Sequence, residues 1–200
     1  MVGEQPSFIA EARREQIIKA TIETLDEIGY VNISLAKIAK KAKISTGLIS
    51  YHFKDKEDVL HNTLIYLLKK QFDYIQDKVS KKETAYDRLI AFIEASLAYQ
   101  LTHRVNNIAL IEIIFNGRTE DNIPYYKLSD DEEDPLYVYL QEIIRYGQET
   151  KEFSDFHVKN VSIMIQGAIA ESMLMTGEKF DIEAYKNDLV YMVTKLVRKT

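Results

Sequence analysis

Two hundred residues with 46% hydrophobic and 28% charged content carry enough apolar material for one large or two small soluble domains. The chain has no cysteine, which excludes a disulfide framework, a thiolate metal site and a cysteine nucleophile, and its formal net charge of −5 means that any basic surface must be local. The first residues lack a basic-then-apolar signal pattern and no run approaches the roughly 20 apolar residues of a membrane span, so a cytoplasmic protein is expected.

Seven glycines and three prolines are few, and β-type alternation is sparse, so the chain is expected to be all-α. Met1 to Ser7 reads as a loose arm. From Phe8 to Ile28 the pattern is helical, with Ile17, Ile18, Ile22, Leu25 and Ile28 on one face. Gly29 is the expected C-cap, because glycine accepts a left-handed turn without steric cost. Arg13 and Arg14 either reach a phosphate or the minor groove or are exposed and solvated, and the second reading is favoured.

Ile33 to Leu60 carries the strongest signal. Ser34 is an expected N-cap, followed by Leu35, Ile38, Ala39 and Ala42 at helical spacing. Ser45 is a second N-cap, and Leu48, Ile49 and Phe53 supply the buried side of the next helix. Asp55 caps a third helix, with Asp58 reaching back in the manner of a capping box. Two helices of about two turns, joined by about three residues, have the dimensions of a helix-turn-helix. Between Tyr30 and Lys56 stand six lysines and one acid, a local balance of +5 in a chain of −5. Such a basic island suits DNA phosphates; a solvated lysine face is the alternative that charge alone leaves open.

The run Ile44-Ser45-Thr46-Gly47-Leu48-Ile49-Ser50-Tyr51-His52-Phe53-Lys54-Asp55-Lys56-Glu57 resembles the DNA-binding signature of TetR-type transcriptional regulators. Gly29-Tyr30, Ser34 and Ile38-Ala39 fit the same pattern upstream. The resemblance covers about Ile17 to Leu64. Two positions depart from it: Lys43 stands where the turn usually carries glycine, and Ser50 where tyrosine is usual. The resemblance implies that Ser34, Ser45, Tyr51, His52 and Lys56 hold phosphates. It also implies that Thr46, Gly47 and Leu48 face base edges, with phosphate as the other assignment for Thr46.

Downstream, Lys56 to about Ser80 reads as one long helix, expected to join two domains rigidly: a DNA-binding domain over 1–55 and a helical ligand-binding and dimerisation domain over 56–200. Five more helices come after it: Thr84 or Ala85 to about Leu101, His103 to Asn116, Pro135 to about Glu149, Phe156 or His157 to Thr176, ended by Gly177, and Ile182 to Lys199, for about nine in all. The helix ending at Asn116 is apolar nearly all round and is expected to be central. An acidic connection, with Asp130-Asp131-Glu132-Glu133-Asp134, precedes Pro135.

No metal-ligand spacing, phosphate loop or nucleophile elbow is present, so no enzyme activity, metal or cofactor is expected. Glu112 and Glu171 stand in apolar helices, where a carboxylate needs a partner. Each meets either an effector or an internal partner or interface, and the structural reading is favoured. Phe92, Tyr99 and Phe115 are the further candidates for an effector site, in the cavity that the resemblance implies. It also implies a homodimer through the last two helices, with Gly167, Ala168 and Val193 among the residues there. The expectation is a repressor that binds a palindromic operator and is released by a small molecule; a DNA-binding architectural or cell-division protein without a small-molecule switch is the alternative.

Overall fold

The structure, a computed structural model, describes residues 8–127, 134–175 and 180–198. The expected N-terminal arm, most of the acidic run and Gly177 lie outside these residues. The described residues form nine α-helices and one 3-10 turn, Tyr125–Lys127. In chain order they are α1 (Phe8–Asn32), α2 (Leu35–Ala42), α3 (Thr46–His52), α4 (Lys56–Val79), α5 (Ala85–Thr102), α6 (Arg104–Asn116), α7 (Pro135–Glu149), α8 (Val158–Ser172) and α9 (Ile182–Val197). By contacts the chain divides into two compact units. The first comprises the described parts of Met1–Lys69 and Arg104–Ser129, and the second those of Lys70–His103 and Asp130–Thr200.

In the first unit α1 packs on α2, α3 and α6. Its core includes Ile17, Leu25, Ile38, Ile49, Phe53 and Val59, together with Ala109 and Ile113 of α6. The N-terminal half of α4 therefore contributes to the same core as the short helices before it. α1 does not stop at Ile28: it is broken at Gly29 (φ 70°, ψ 169°) and resumes as a short helical stretch to Asn32. That backbone region is open only to glycine at low cost. α6 is less enclosed within its unit than its composition suggests. Asn107, Ala109 and Ile113 are buried, Ile108, Leu110 and Ile114 are half-buried, and Phe115 is exposed. Its apolar residues run round the helix, but only Ala109 and Ile113 among them are fully buried, in the core shared with α1.

In the second unit α5 is the hub, packing on α7, α8 and α9 around Phe92, Leu140, Ile144, Phe153, Ile165 and Val193. Its start is pinned twice. Thr84 accepts the Asp87 N–H, and the Glu152 carboxylate accepts the N–H groups of Ala85 and Tyr86 at 3.1 and 3.0 Å. An acid at a helix N-terminus satisfies orphan donors and complements the macrodipole. Asp134 caps α7 with Pro135 at the first helical position, as expected. α8 ends at Ser172, one turn short of the expected Thr176, because Met173 to Met175 close the helix through turn-type bonds to Ala170, Glu171 and Ser172.

Gly147 is closely packed against Phe153. A Cβ there would lie 2.2 Å from Phe153, whose own N–H donates to the Gly147 carbonyl at 2.9 Å. The ring is buried and cannot yield. Gly147→Ala is therefore expected to lower stability by about 1–3 kcal/mol through overpacking. Urea unfolding of Gly147→Ala, Phe153→Leu and the double variant checks it: the double variant should lose less than the two single losses added together.

Candidate nucleic-acid interface

Seven residues make too short a helix to be stable alone in water, so α3 depends on what holds it. Ser45 accepts the Leu48 N–H at 3.2 Å, and Ser34 does the same for Lys37 at the start of α2, at 3.4 Å. Both are the N-caps the sequence indicates. Between them Lys43 is left-handed (φ 55°, ψ 44°), and its N–H returns to the carbonyls of Ala39 and Lys40. The turn thus takes the conformation glycine prefers, with lysine in place, at a cost of roughly 1 kcal/mol. After α3 the chain passes directly into α4 through a reciprocal cap. The Asp58 N–H donates to Asp55 Oδ1 and the Lys54 N–H donates to Asp58 Oδ2, both at 2.8 Å. Aspartate reaches back as glutamate would in a capping box, although it bonds to Lys54 rather than to the cap residue itself.

Ile49 and Phe53 are buried and anchor α3 to the core. Arg14 locks the far end. Its guanidinium lies 4.2 Å from the Phe53 ring centroid, its Nη1 donates to the His52 carbonyl, and its Nη2 donates to Asn62 Oδ1 at 2.8 Å. One side chain from α1 therefore ties the end of α3 to α4. The favoured expectation of a solvated Arg14 does not hold. No sequence spacing could have shown this, since the partners stand 38 and 48 residues away.

The opposite face of α3 is open. Thr46, Gly47, Ser50 and Tyr51 are exposed, with Tyr51 at 80%, and Leu48 and His52 are half-buried. Tyr51 and His52 meet edge to face with ring centroids 5.0 Å apart. Around this face stand the lysines. Lys40 and Lys43 are exposed. Lys37 donates to the Asn32 carbonyl at 2.7 Å, Lys41 pairs with Glu27, and Lys54 pairs with Glu120 at 3.4 Å across solvent. Lys56 lies 3.4 Å from Glu57 and 5.5 Å from the Tyr30 ring. Exposed pairs of this kind are weak and exchangeable for phosphate.

The other candidate residues are dispersed. Phe92 and Tyr99 are buried in the second unit, Phe92 against Tyr139 and Tyr99 stacked on His103 with centroids 4.1 Å apart. Glu171, in the same unit, is exposed. Phe115 is exposed in the first unit, beside Tyr126. Glu112, also in the first unit, accepts the Tyr30 N–H at 2.9 Å. Among the described residues no cluster of histidine and carboxylate groups could hold a metal ion.

Residues 17–63 match the profile of the bacterial regulatory proteins of the tetR family. This stretch is thus similar to the DNA-binding part of that family. The HTH-type transcriptional regulator BetI of Yersinia pestis is 43% identical over 68 residues, 34% of this chain and 32% of that protein. BetI of Burkholderia ambifaria is 36% identical over 87 residues, 43% of this chain and 45% of that protein. The match thus spans a third to under a half of these relatives. Similarity of fold extends further. A transcriptional regulator from Saccharomonospora viridis, solved with choline, superposes with a TM-score of 0.79 at 20% identity, over 95% of this chain and 100% of its own. FadR from Bacillus subtilis, solved with stearoyl-CoA, does so with 0.75 at 23%, over 90% of this chain and 96% of its own. The TetR-type helix-turn-helix is therefore the N-terminal part of an all-α fold that known regulators share.

Partial burial, then the charges of Arg14 and Arg13, hold the His52 imidazole below its usual pKa. The folded state thus favours neutral His52. The stability this gives is present above the unfolded value of about 6.5 and is lost as pH falls through it. His52→Gln is expected to lose less stability than the parent between about pH 7.5 and 5.5. Urea midpoints of both proteins at the two pH values provide the check.

Proposed function

We propose that this protein is a TetR-type, ligand-responsive transcriptional regulator, acting as a repressor on a palindromic operator that it binds as a homodimer. The observation that carries the reading is the open face of α3, capped and locked by Ser45, Phe53 and Arg14, inside an island of lysines in an otherwise acidic chain. DNA binding is assigned to residues 1–55, and effector binding and dimerisation to 56–200.

On this reading Thr46, Gly47 and Leu48 face base edges in the major groove, while Ser34, Ser45, Tyr51, His52 and Lys56 hold phosphates. Direct titration of the upstream DNA of its own gene, at several salt concentrations, tests it. Tyr51→Ala should weaken specific and non-specific binding alike. Lys56→Ala should also lower the slope of log affinity against log salt by about one. Unchanged affinity in both variants at every salt concentration would remove α3 from the DNA.

The dimer reading is supported by the outer faces of α8 and α9. Ile163 and Met164 on α8, and Tyr191, Met192 and Leu196 on α9, are 42–62% exposed, and a Cβ on Gly167 would meet nothing within 4 Å. Five large apolar groups exposed on two helices that pack together suit the same helices of a second copy. Val193 is fully buried and Ala168 packs on the core, so neither probes this surface cleanly. Ile163→Glu with Met192→Glu does: sedimentation should give a monomer, and tight operator binding should vanish with the second half-site. A dimer of undiminished stability would move the interface elsewhere.

The choline and stearoyl-CoA complexes of proteins with this fold support a small-molecule effector here, sought among the buried aromatics Phe92 and Tyr99 and near Glu171. Effector and DNA must weaken each other by the same factor, typically 1–3 kcal/mol. A panel of quaternary ammonium and acyl-CoA compounds in the operator titration tests for it. A panel without effect on operator affinity would favour the unswitched architectural reading.

A further inference from the structure

The connection between α1 and α2 is held from outside by one carboxylate. At Gly29 the helix breaks with φ 70° and ψ 169°, which turns the next N–H out of the helical ladder. That donor, Tyr30 N–H, is taken by Glu112 Oε2 of α6 at 2.9 Å. The absent side chain of Gly29 lets the carboxylate lie close: a Cβ there would sit 3.7 Å from Oε2. Asn116, one turn on along α6, donates its side-chain amide to the Glu112 carbonyl at 2.9 Å and lies 3.5 Å from the carboxylate. The contact spans 82 residues and sits where α1 and α6 pack together.

Beyond Tyr30 the chain enters the helix-turn-helix. The Ile33 N–H returns to the Tyr30 carbonyl, Ile33 is buried, and Ser34 caps α2. The Asn32 carbonyl receives the Lys37 ammonium, and the Tyr30 ring faces Lys56. Two residues assigned to phosphates, Ser34 and Lys56, therefore lie one or two contacts from the backbone that Glu112 holds.

We propose that Glu112 is a positioning residue for DNA binding: by accepting the Tyr30 N–H beside Gly29 it fixes the Tyr30–Ser34 connection and so the places of Ser34 and Lys56. It touches no DNA itself. This rests on the DNA-binding reading above, and it gives the carboxylate an internal duty in place of an effector.

The test uses the full chain and operator DNA, with Glu112→Gln, Glu112→Met and Glu112→Ala. Glutamine keeps an acceptor oxygen at the same reach. Methionine keeps length and packing but accepts nothing useful. The methionine and alanine variants should bind operator about ten-fold more weakly, the scale of one lost hydrogen bond to a charged group. Glutamine should stay within about three-fold of the parent. The salt slope should be unchanged in all three, unlike that of Lys56→Ala, because no phosphate contact is removed. Amide exchange at Tyr30 should accelerate in the methionine and alanine variants and not in the glutamine variant. Equal affinity in parent and methionine variants overturns the proposal, as does equal loss in glutamine and methionine. Methionine and alanine variants that fail to fold beside a folded glutamine variant overturn it too, since the acceptor would then serve the fold as a whole. A parent that binds no DNA at any salt concentration would instead sink the DNA-binding reading.

Discussion

The Arg14 guanidinium on the face of Phe53 is the contact on which the DNA-binding unit depends. A seven-residue helix has no orientation of its own, and the caps at Ser45 and Asp55 define where α3 begins and where the chain turns, not how it lies against α1. Phe53 gives it depth and Arg14 gives it direction. The guanidinium is planar and carries donors at its edge, so it can lie on an aromatic ring while bonding the His52 carbonyl and the Asn62 side chain in its plane. A lysine could supply the charge but not the flat face or the fork. The open side of α3 can remain polar and exposed because its closed side is so heavily determined.

The same logic extends to the acids of the fold. Asp58 holds the N–H of Lys54, Glu152 holds those of Ala85 and Tyr86, and Glu112 holds that of Tyr30. Each carboxylate meets backbone donors at the beginning or break of a helix, where hydrogen-bonding capacity is left over. Two of the three act across long stretches of sequence, so they serve as tertiary links as well as caps.

Local chemistry is readable from the chain and distant pairing is not. Ser34, Ser45, Asp55, Thr84 and Pro135 announce helix starts through residues within one turn, and all nine helices can be placed from such marks and from apolar spacing. The helix-turn-helix is legible because its signature is contiguous. Arg14 escapes such a reading because an arginine on an amphipathic helix looks the same whether it meets water or a ring 39 residues away. α6 has the composition of a central helix because its apolar residues run all round, yet periodicity does not say which stripe packs. The partner of Glu112 is beyond reach for the same reason: a carboxylate in an apolar helix demands a donor without naming it. The early end of α8 depends on turn bonds that carry no glycine or proline to advertise them.

The order in which the two compact units take their residues bears on how the protein is made. The first unit uses α1 to α3 and the start of α4, then waits for α6; the second takes the end of α4 and α5 before α6 and completes itself only with α9. As the chain leaves the ribosome, the DNA-binding helices are all present by about residue 60, but Ala109 and Ile113, which complete their core, come some fifty residues later. Until then the part of α1 that packs on α6 is uncovered. Neither unit is a continuous length of chain, so neither can be released by a single cut. The nascent protein must keep an apolar surface from misassociation while the helices that separate its two halves in sequence are still being synthesised.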